Sequence, residues 1–244
     1  MKKIFVILLA LGLWSCGNES GVASDSSGGV GQGGSLARFA IVDDHLYAVD
    51  GSKLKVFSLN DPEDPVYLSD HNLFTTVETI FPRDSVTLFI GSVSGMFIYD
   101  VSKAPNIEQL SRYDHLTACD PVVANDKYAY VTLRSESGNN FCWRSVNQLE
   151  VIDIQDLRNP KLINTFPLVN PIGLGLYGDT LLVCDAGIKV FDVANPMDLK
   201  LLDADEDFDA FDIIPYGDLM ILVSEDGLQQ YQFKGGKLHF LSRI

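Results

Sequence analysis

The sequence predicts an all-β fold, a five-bladed β-propeller built from four-stranded antiparallel blades. Three observations carry that reading. Five stretches share one pattern, "LKVFSL" at 54, "MFIYDV" at 96, "LEVIDI" at 149, "IKVFDV" at 188 and "LQQYQF" at 228, spaced by 42, 53, 39 and 40 residues. Each is flanked by further short runs rich in Val, Ile, Tyr and Phe, with turn signals every 8–12 residues,. Four strands in each roughly 42-residue repeat are the mark of radially repeated blades.

The chain begins with a basic "MKK" and the apolar run "IFVILLALGLW", shorter than a comfortable membrane span,. It then meets "LWSC", a small residue followed by cysteine. This is the pattern of a bacterial lipoprotein signal over residues 1–15, with Cys16 as the lipidated first residue of the mature chain. Two or three acyl chains, at about 0.8 kcal/mol for each buried methylene, hold a protein on a membrane almost permanently. The expected location is the bacterial cell envelope, at the outer membrane. The following Gly- and Ser-rich stretch, through residue 35, has almost nothing to bury and reads as a tether reaching on the order of 25 Å. Its "GVGQGG" matches a dinucleotide fingerprint in letters only, because no strand precedes it and no helix follows,.

The blades are expected at about 36–73, 74–116, 117–168, 169–208 and 209–244. In each, an opening strand such as "ARFAIVDD" or "FDIIPYGD" leads to a second such as "HLYAVDG" or "MILVSEDG". The repeated pattern is the third strand, expected to be apolar on both faces because neighbouring blades sandwich it. Asp100, Asp153 and Asp192 close three of these strands ahead of Pro- or Asn-containing turns. There an Asp side chain bonds the backbone two residues on, so they are structural,. A fourth strand such as "PVYLSDHNL" or "KLHFLSRI" completes each blade. "GLGLYG" at 173–178 runs into another strand-like stretch and is also no nucleotide motif,.

"LEVIDIQDLRNPKLI", with the looser copies "MFIYDVSKAPNIEQL" and "IKVFDVANPMDLKLL", resembles the LVIVD repeat. More narrowly, "CDPVV…YAYVTLRS…C…NQLEVIDI" and "LLVCDAGIKVFD" resemble the LVIVD-repeat lipoproteins of bacterial envelopes. The resemblance implies a propeller displayed on a lipid anchor and no established reaction. The fifth repeat departs from it, with Gln232 where three others carry Asp.

Composition narrows the function. With 33 acidic against 18 basic residues and a formal net charge of −15, the chain repels nucleic-acid phosphates and anionic headgroups,. Removing Lys2 and Lys3 with the signal makes the mature chain more acidic still. In an antiparallel blade, the start of the innermost strand and the loop between strands two and three share one face. Cys119, Cys142 and Cys184 all map there, Cys142 within the insertion "SESGNNFCWRSVNQ" at 135–148. A 119–142 bridge, a 142–184 bridge across blades, or three separate thiols fit this placement; the family resemblance implies Cys119–Cys142. The same face receives the inner-strand starts at Arg38, Glu78, Asp120, Ile172 and Asp212, with Trp143 and Arg144 on the insertion. This is the expected binding face.

The cysteines and histidines lack zinc-ligand spacing, and "DADEDFDA" at 203–210 lacks the glycine and glutamate of an EF-hand loop,. No metal and no cofactor is expected. The leading expectation is a non-enzymatic scaffold binding an envelope protein, peptide or glycan. One alternative is a glycoside hydrolase-like enzyme using Glu78, Asp120 and Asp212, which needs two carboxyls about 5–5.5 or 6.5–9.5 Å apart. The other is a purely structural subunit of an envelope complex.

Overall fold

The protein is seen in a computed structural model that describes residues 33–114, 121–135, 146–207 and 210–244. It is a five-bladed β-propeller, with no helix among the described residues. Blade one is β1 (Phe39–Val42), β2 (His45–Asp50), β3 (Lys53–Ser58) and β4 (Val66–Asn72). Blade two is β5 (Val77–Pro82), β6 (Thr87–Ser92), β7 (Gly95–Asp100) and β8 (Glu108–Asp114). Blade three is β9 (Val122–Ala124), β10 (Tyr128–Leu133), β11 (Gln148–Asp153) and β12 (Lys161–Pro167). Blade four is β13 (Pro171–Tyr177), β14 (Thr180–Asp185), β15 (Ile188–Asp192) and β16 (Lys200–Asp205). Blade five is β17 (Asp212–Tyr216), β18 (Leu219–Ser224), β19 (Gly227–Lys234) and β20 (Lys237–Arg243).

Every blade is an up-and-down antiparallel sheet in chain order. The repeat extends to an irregularity. The pairing of third and fourth strands shifts register between Val56 and Phe57, Ile98 and Tyr99, Val151 and Ile152, Val190 and Phe191, and Gln230 and Tyr231. That is the same step of the repeated pattern each time. A bulge there adds local twist and bends the exposed outer strand.

The turns follow the sequence chemistry. Asp100, Asp153 and Asp192 accept hydrogen bonds from the backbone N–H two residues on, at Ser102 (2.8 Å), Gln155 (3.0 Å) and Ala194 (2.9 Å). Blade five, with Gln232 at this position, joins β19 to β20 by the tight turn Gly235-Gly236, both at positive φ. There, Gln232 donates to Asp218.

Apolar clusters weld successive blades. Leu54 and Val56 of blade one meet Ile80, Leu88 and Phe97 of blade two. Phe89 and Met96 meet Val131 and Ile152 across the next junction, Tyr130 and Val151 meet Leu181 and Val183 across the third, and Leu182 and Val190 meet Ile213 and Met220 across the fourth. Between blades five and one no such cluster forms among the described residues. Phe39 and Ile41 of β1 stay 61% and 38% exposed, and Tyr216 of β17 stays 68% exposed. The third strands show the consequence. β7 is buried on both faces over Gly95–Tyr99, as expected, whereas β3 alternates, with Lys53, Lys55 and Phe57 on the less buried side. The expectation of two buried faces therefore fails for blade one and for β19 of blade five, which share no apolar cluster across the fifth junction, and also for β15 of blade four, where Lys189 alternates with buried Ile188 and Val190.

The fifth junction is held by a strap, residues 33–36, lying along the inner strands of blades four and five before the chain turns into β1. Its hydrogen bonds define the channel and are described next.

Candidate functional site

The expected binding face is the one where the inner strands begin. Its centre is a cavity of about 190 Å3 lined by Leu36 of the strap, Glu78 and Thr79 of β5, Pro121 before β9, Arg134 after β10, and Pro171 and Ile172 of β13. Blades two, three and four and the strap thus converge on one mouth. Glu78 and Arg134 are half-buried and bring opposite charge to an otherwise apolar wall. Arg38 stands outside this lining and donates from Nη2 to the Val77 carbonyl (3.4 Å), tying blade one to blade two.

Asp212 stands at the start of β17, as expected, but it is only 7% exposed and is hydrogen-bonded to the strap. Its Oδ1 accepts from the Ser35 N–H (3.2 Å), the Ser35 hydroxyl (2.8 Å) and the Ile213 N–H (3.0 Å), and its Oδ2 accepts from the Leu36 N–H (3.1 Å). The Ser35 Oγ in turn accepts from the Leu174 N–H (2.8 Å), so one serine ties the strap to blades four and five. Burial pushes the Asp212 carboxyl above its ordinary value, and the hydrogen bonds from Leu36, Ser35 and Ile213 pull against that shift. With its oxygens so occupied, Asp212 is an anchor and not a carboxylate of an open cleft. The carboxylate set Glu78, Asp120 and Asp212 loses that member.

The strap also corrects the expected tether, whose residues 33–35 belong to the fold. Gly34 has to be glycine: a Cβ there would stand 2.0 Å from Asp212 Oδ2. The strap divides the axial channel, with Leu36 lining the upper cavity and Gly33 and Ser35 lining a lower chamber of about 180 Å3 with Phe81, Val123 and Leu174.

Cys16, Cys119, Asp120, Cys142, Trp143 and Arg144 lie outside the described residues. Cys184 is buried in the core between blades four and five, beside Ile188, Ile213 and Leu222.

The face carries two residues that the sequence reading passed over. Phe74, in the connection from β4 to β5, is 89% exposed and adopts a left-handed backbone conformation (φ 55°), with its N–H held by Asn72 Oδ1 at 2.9 Å. A bulky aromatic is rarely found in this conformation. Val169, in the connection from β12 to β13, is 63% exposed, and its N–H is held by the buried Asp185 carboxylate (2.9 Å). Both are apolar side chains presented to solvent by polar groups that fix the backbone beneath them. No composition or spacing signal distinguishes them from ordinary loop residues.

No protein-family model matches the chain, and no curated protein matches it. Solved structures do. A periplasmic gluconolactonase of Pseudomonas aeruginosa matches 83% of this chain and 67% of its own, with a TM-score of 0.64 and 14% identity. A protein from Lactobacillus plantarum matches with a TM-score of 0.66 and 14% identity, over 83% of this chain and 69% of its own. A functionally unknown protein from Desulfotomaculum acetoxidans also reaches 0.66, at 12% identity, over 88% of this chain and 68% of its own. At these identities the likeness is one of fold alone.

Proposed function

We propose that this chain is a non-enzymatic lipoprotein of the bacterial envelope, anchored through Cys16, whose inner-strand-start face binds a protein, peptide or glycan partner. The observation that carries the reading is the constellation on that face. A half-buried Glu78 and Arg134 flank an apolar mouth, and Phe74 is presented to solvent in a left-handed backbone conformation. Local backbone strain persists where surrounding structure enforces it, and it gathers at binding sites. Exposed aromatics beside a polar rim are the groups that dominate recognition surfaces. The insertion at 135–148, with Trp143 and Arg144, and a Cys119–Cys142 bridge belong to the same reading, which the LVIVD-repeat likeness supports. Against catalysis stands the commitment of Asp212 to the strap.

The test uses the lipidated protein in its native envelope. Mild crosslinking and mass spectrometry compare the wild type with a chain whose residues 135–146 are a short Gly-Ser turn and with Phe74→Ser, after thermal unfolding has verified that both fold. A partner captured by the wild type and lost from both variants supports the reading. The same set captured by all three contradicts it. Cys16→Ser should move the protein from the membrane to the soluble fraction, and retention on the membrane would remove the anchor.

A further inference from the structure

The chain enters the fold along its axis, and the direction of entry relates the binding face to the membrane. β1 runs from the inner-strand-start face toward the opposite face, where first strands turn into second strands. The strap that precedes it is a tight turn. The Ala37 N–H donates to the Gly34 carbonyl (3.1 Å), and a Cβ on Gly33 would stand 3.3 Å from the Ala37 Cβ, so the incoming and outgoing limbs lie side by side. Such a turn reverses the chain. Since the outgoing limb descends into β1, the incoming limb at Gly33 ascends, from the opposite face toward the binding face.

The linings of the channel agree. Gly33 lines the lower chamber with Asn125 and Gly178, which stand in first-to-second-strand turns. Leu36, three residues on, lines the upper cavity with Glu78 and Pro171, at inner-strand starts. The turn is clamped from several blades. Asp212 of blade five accepts from the N–H groups of Ser35 (3.2 Å) and Leu36 (3.1 Å), the Leu174 N–H of blade four donates to Ser35 Oγ (2.8 Å), and the Ile80 N–H of blade two donates to the Ala37 carbonyl (2.9 Å).

We propose that the protein is displayed with its inner-strand-start face turned away from the membrane that anchors it, so that this face engages a protein, peptide or glycan reached from the side away from that membrane. The inference rests on the lipid anchor at Cys16. Sixteen residues separate Cys16 from Gly33, a mean reach of about 20–25 Å for a Gly- and Ser-rich chain. To bring the binding face to the bilayer, that tether would have to run from the opposite face around the outside of a blade. Four strands are about 15 Å wide and six residues about 20 Å high, a path of about 35 Å. The mean reach falls short of it. Charge does not reverse the outcome. The first-to-second-strand turns carry Asp44, Asp84, Asp126, Asp179 and Asp218, one in each blade, with Arg83 and Lys127 beside two of them. Anionic headgroups repel such a face only within a screening length of about 8 Å. The tether spans that distance easily, so the face stands off the bilayer without the ring turning over.

The experiment reconstitutes the lipidated protein into vesicles of phosphatidylethanolamine and phosphatidylglycerol that carry an acceptor dye on some headgroups. A fluorescent side chain replaces Phe74 on the binding face in one protein, and Met197 in the β15–β16 connection of the opposite face in another. Each is made with the full tether and with residues 20–29 deleted, and thermal unfolding and vesicle flotation verify that all four are folded and bound. The expected result is stronger energy transfer to the lipid from position 197 than from position 74, with the difference wider on the shortened tether. Equal transfer from the two positions on the shortened tether, or stronger transfer from position 74 on either, overturns the proposal and leaves the anchor standing. A folded protein that does not float with the vesicles overturns the anchor, and the proposal with it.

Discussion

At the residue scale, Asp212 and Ser35 decide how the ring is held. Ser35→Ala strips the Leu174 N–H of its acceptor and Asp212 of a donor, and the protein should lose about 2 kcal/mol of stability by urea unfolding, since each buried group left unmade costs about 1–3 kcal/mol,. Asp212→Asn replaces one oxygen by an amide that cannot accept, and a similar or larger loss is expected. The pair also has a pH signature. Burial raises the folded carboxyl of Asp212 above its unfolded value. Its contribution therefore favours the fold below the ordinary carboxylate range and is lost as pH rises through the folded value. The stability difference between wild type and Asp212→Asn should shrink with rising pH across that range, and a difference that grows would contradict the assignment. Some of this scale was legible in the sequence. Asp100, Asp153 and Asp192 read as turn residues because their side chains act within two residues. Asp212 read as an open carboxylate because its partners lie 176 and 177 residues away, a distance that no local pattern records.

At the scale of the element, "GLGLYG" is the instructive stretch. Read as sequence it was only a failed nucleotide motif. In the fold, Gly173 and Gly175 lie on β13 where it meets β17, and the Gly173 N–H donates to the Phe211 carbonyl at 2.9 Å. A Cβ on Gly173 would stand 2.4 Å from that carbonyl oxygen, and one on Gly175 would stand 2.9 Å from Ile213 O and from Pro215. The glycines bring two inner strands into backbone contact. Gly173→Ala should cost about 1–3 kcal/mol as overpacking forces the strands apart, read as a lower urea midpoint. An unchanged midpoint would show that the strands are not that close. The register of the blades was legible because the repeated pattern marks each third strand. The bulges were not, because the step that shifts register carries Phe, Tyr or Ile and no glycine signal.

For the whole molecule, the unequal junctions are the main consequence of the fold. Phe89 is fully buried between blades two and three, and Phe89→Ala should cost about 3–5 kcal/mol,. Phe39 is exposed at the fifth junction, and Phe39→Ser should stay within about 0.5 kcal/mol,. Equal losses would mean that the fifth junction is packed like the others. The repeat number, the strand count and the face bearing the inner-strand starts could all be read from periodicity. The strap and the place of Arg134 in the mouth could not, since they depend on residues that only closure of the ring brings together, and Phe74 could not because its local sequence reads as an ordinary loop. The central claim is that the inner-strand-start face is the recognition surface, and site-specific photocrosslinking in the native envelope tests it most directly. A photoreactive side chain would replace Phe74 on that face in one protein, and the 60%-exposed Met197 in the β15–β16 connection of the opposite face in another. The account predicts a discrete crosslinked partner from position 74 and none from position 197. A partner captured from position 197 alone, or from neither, would contradict it.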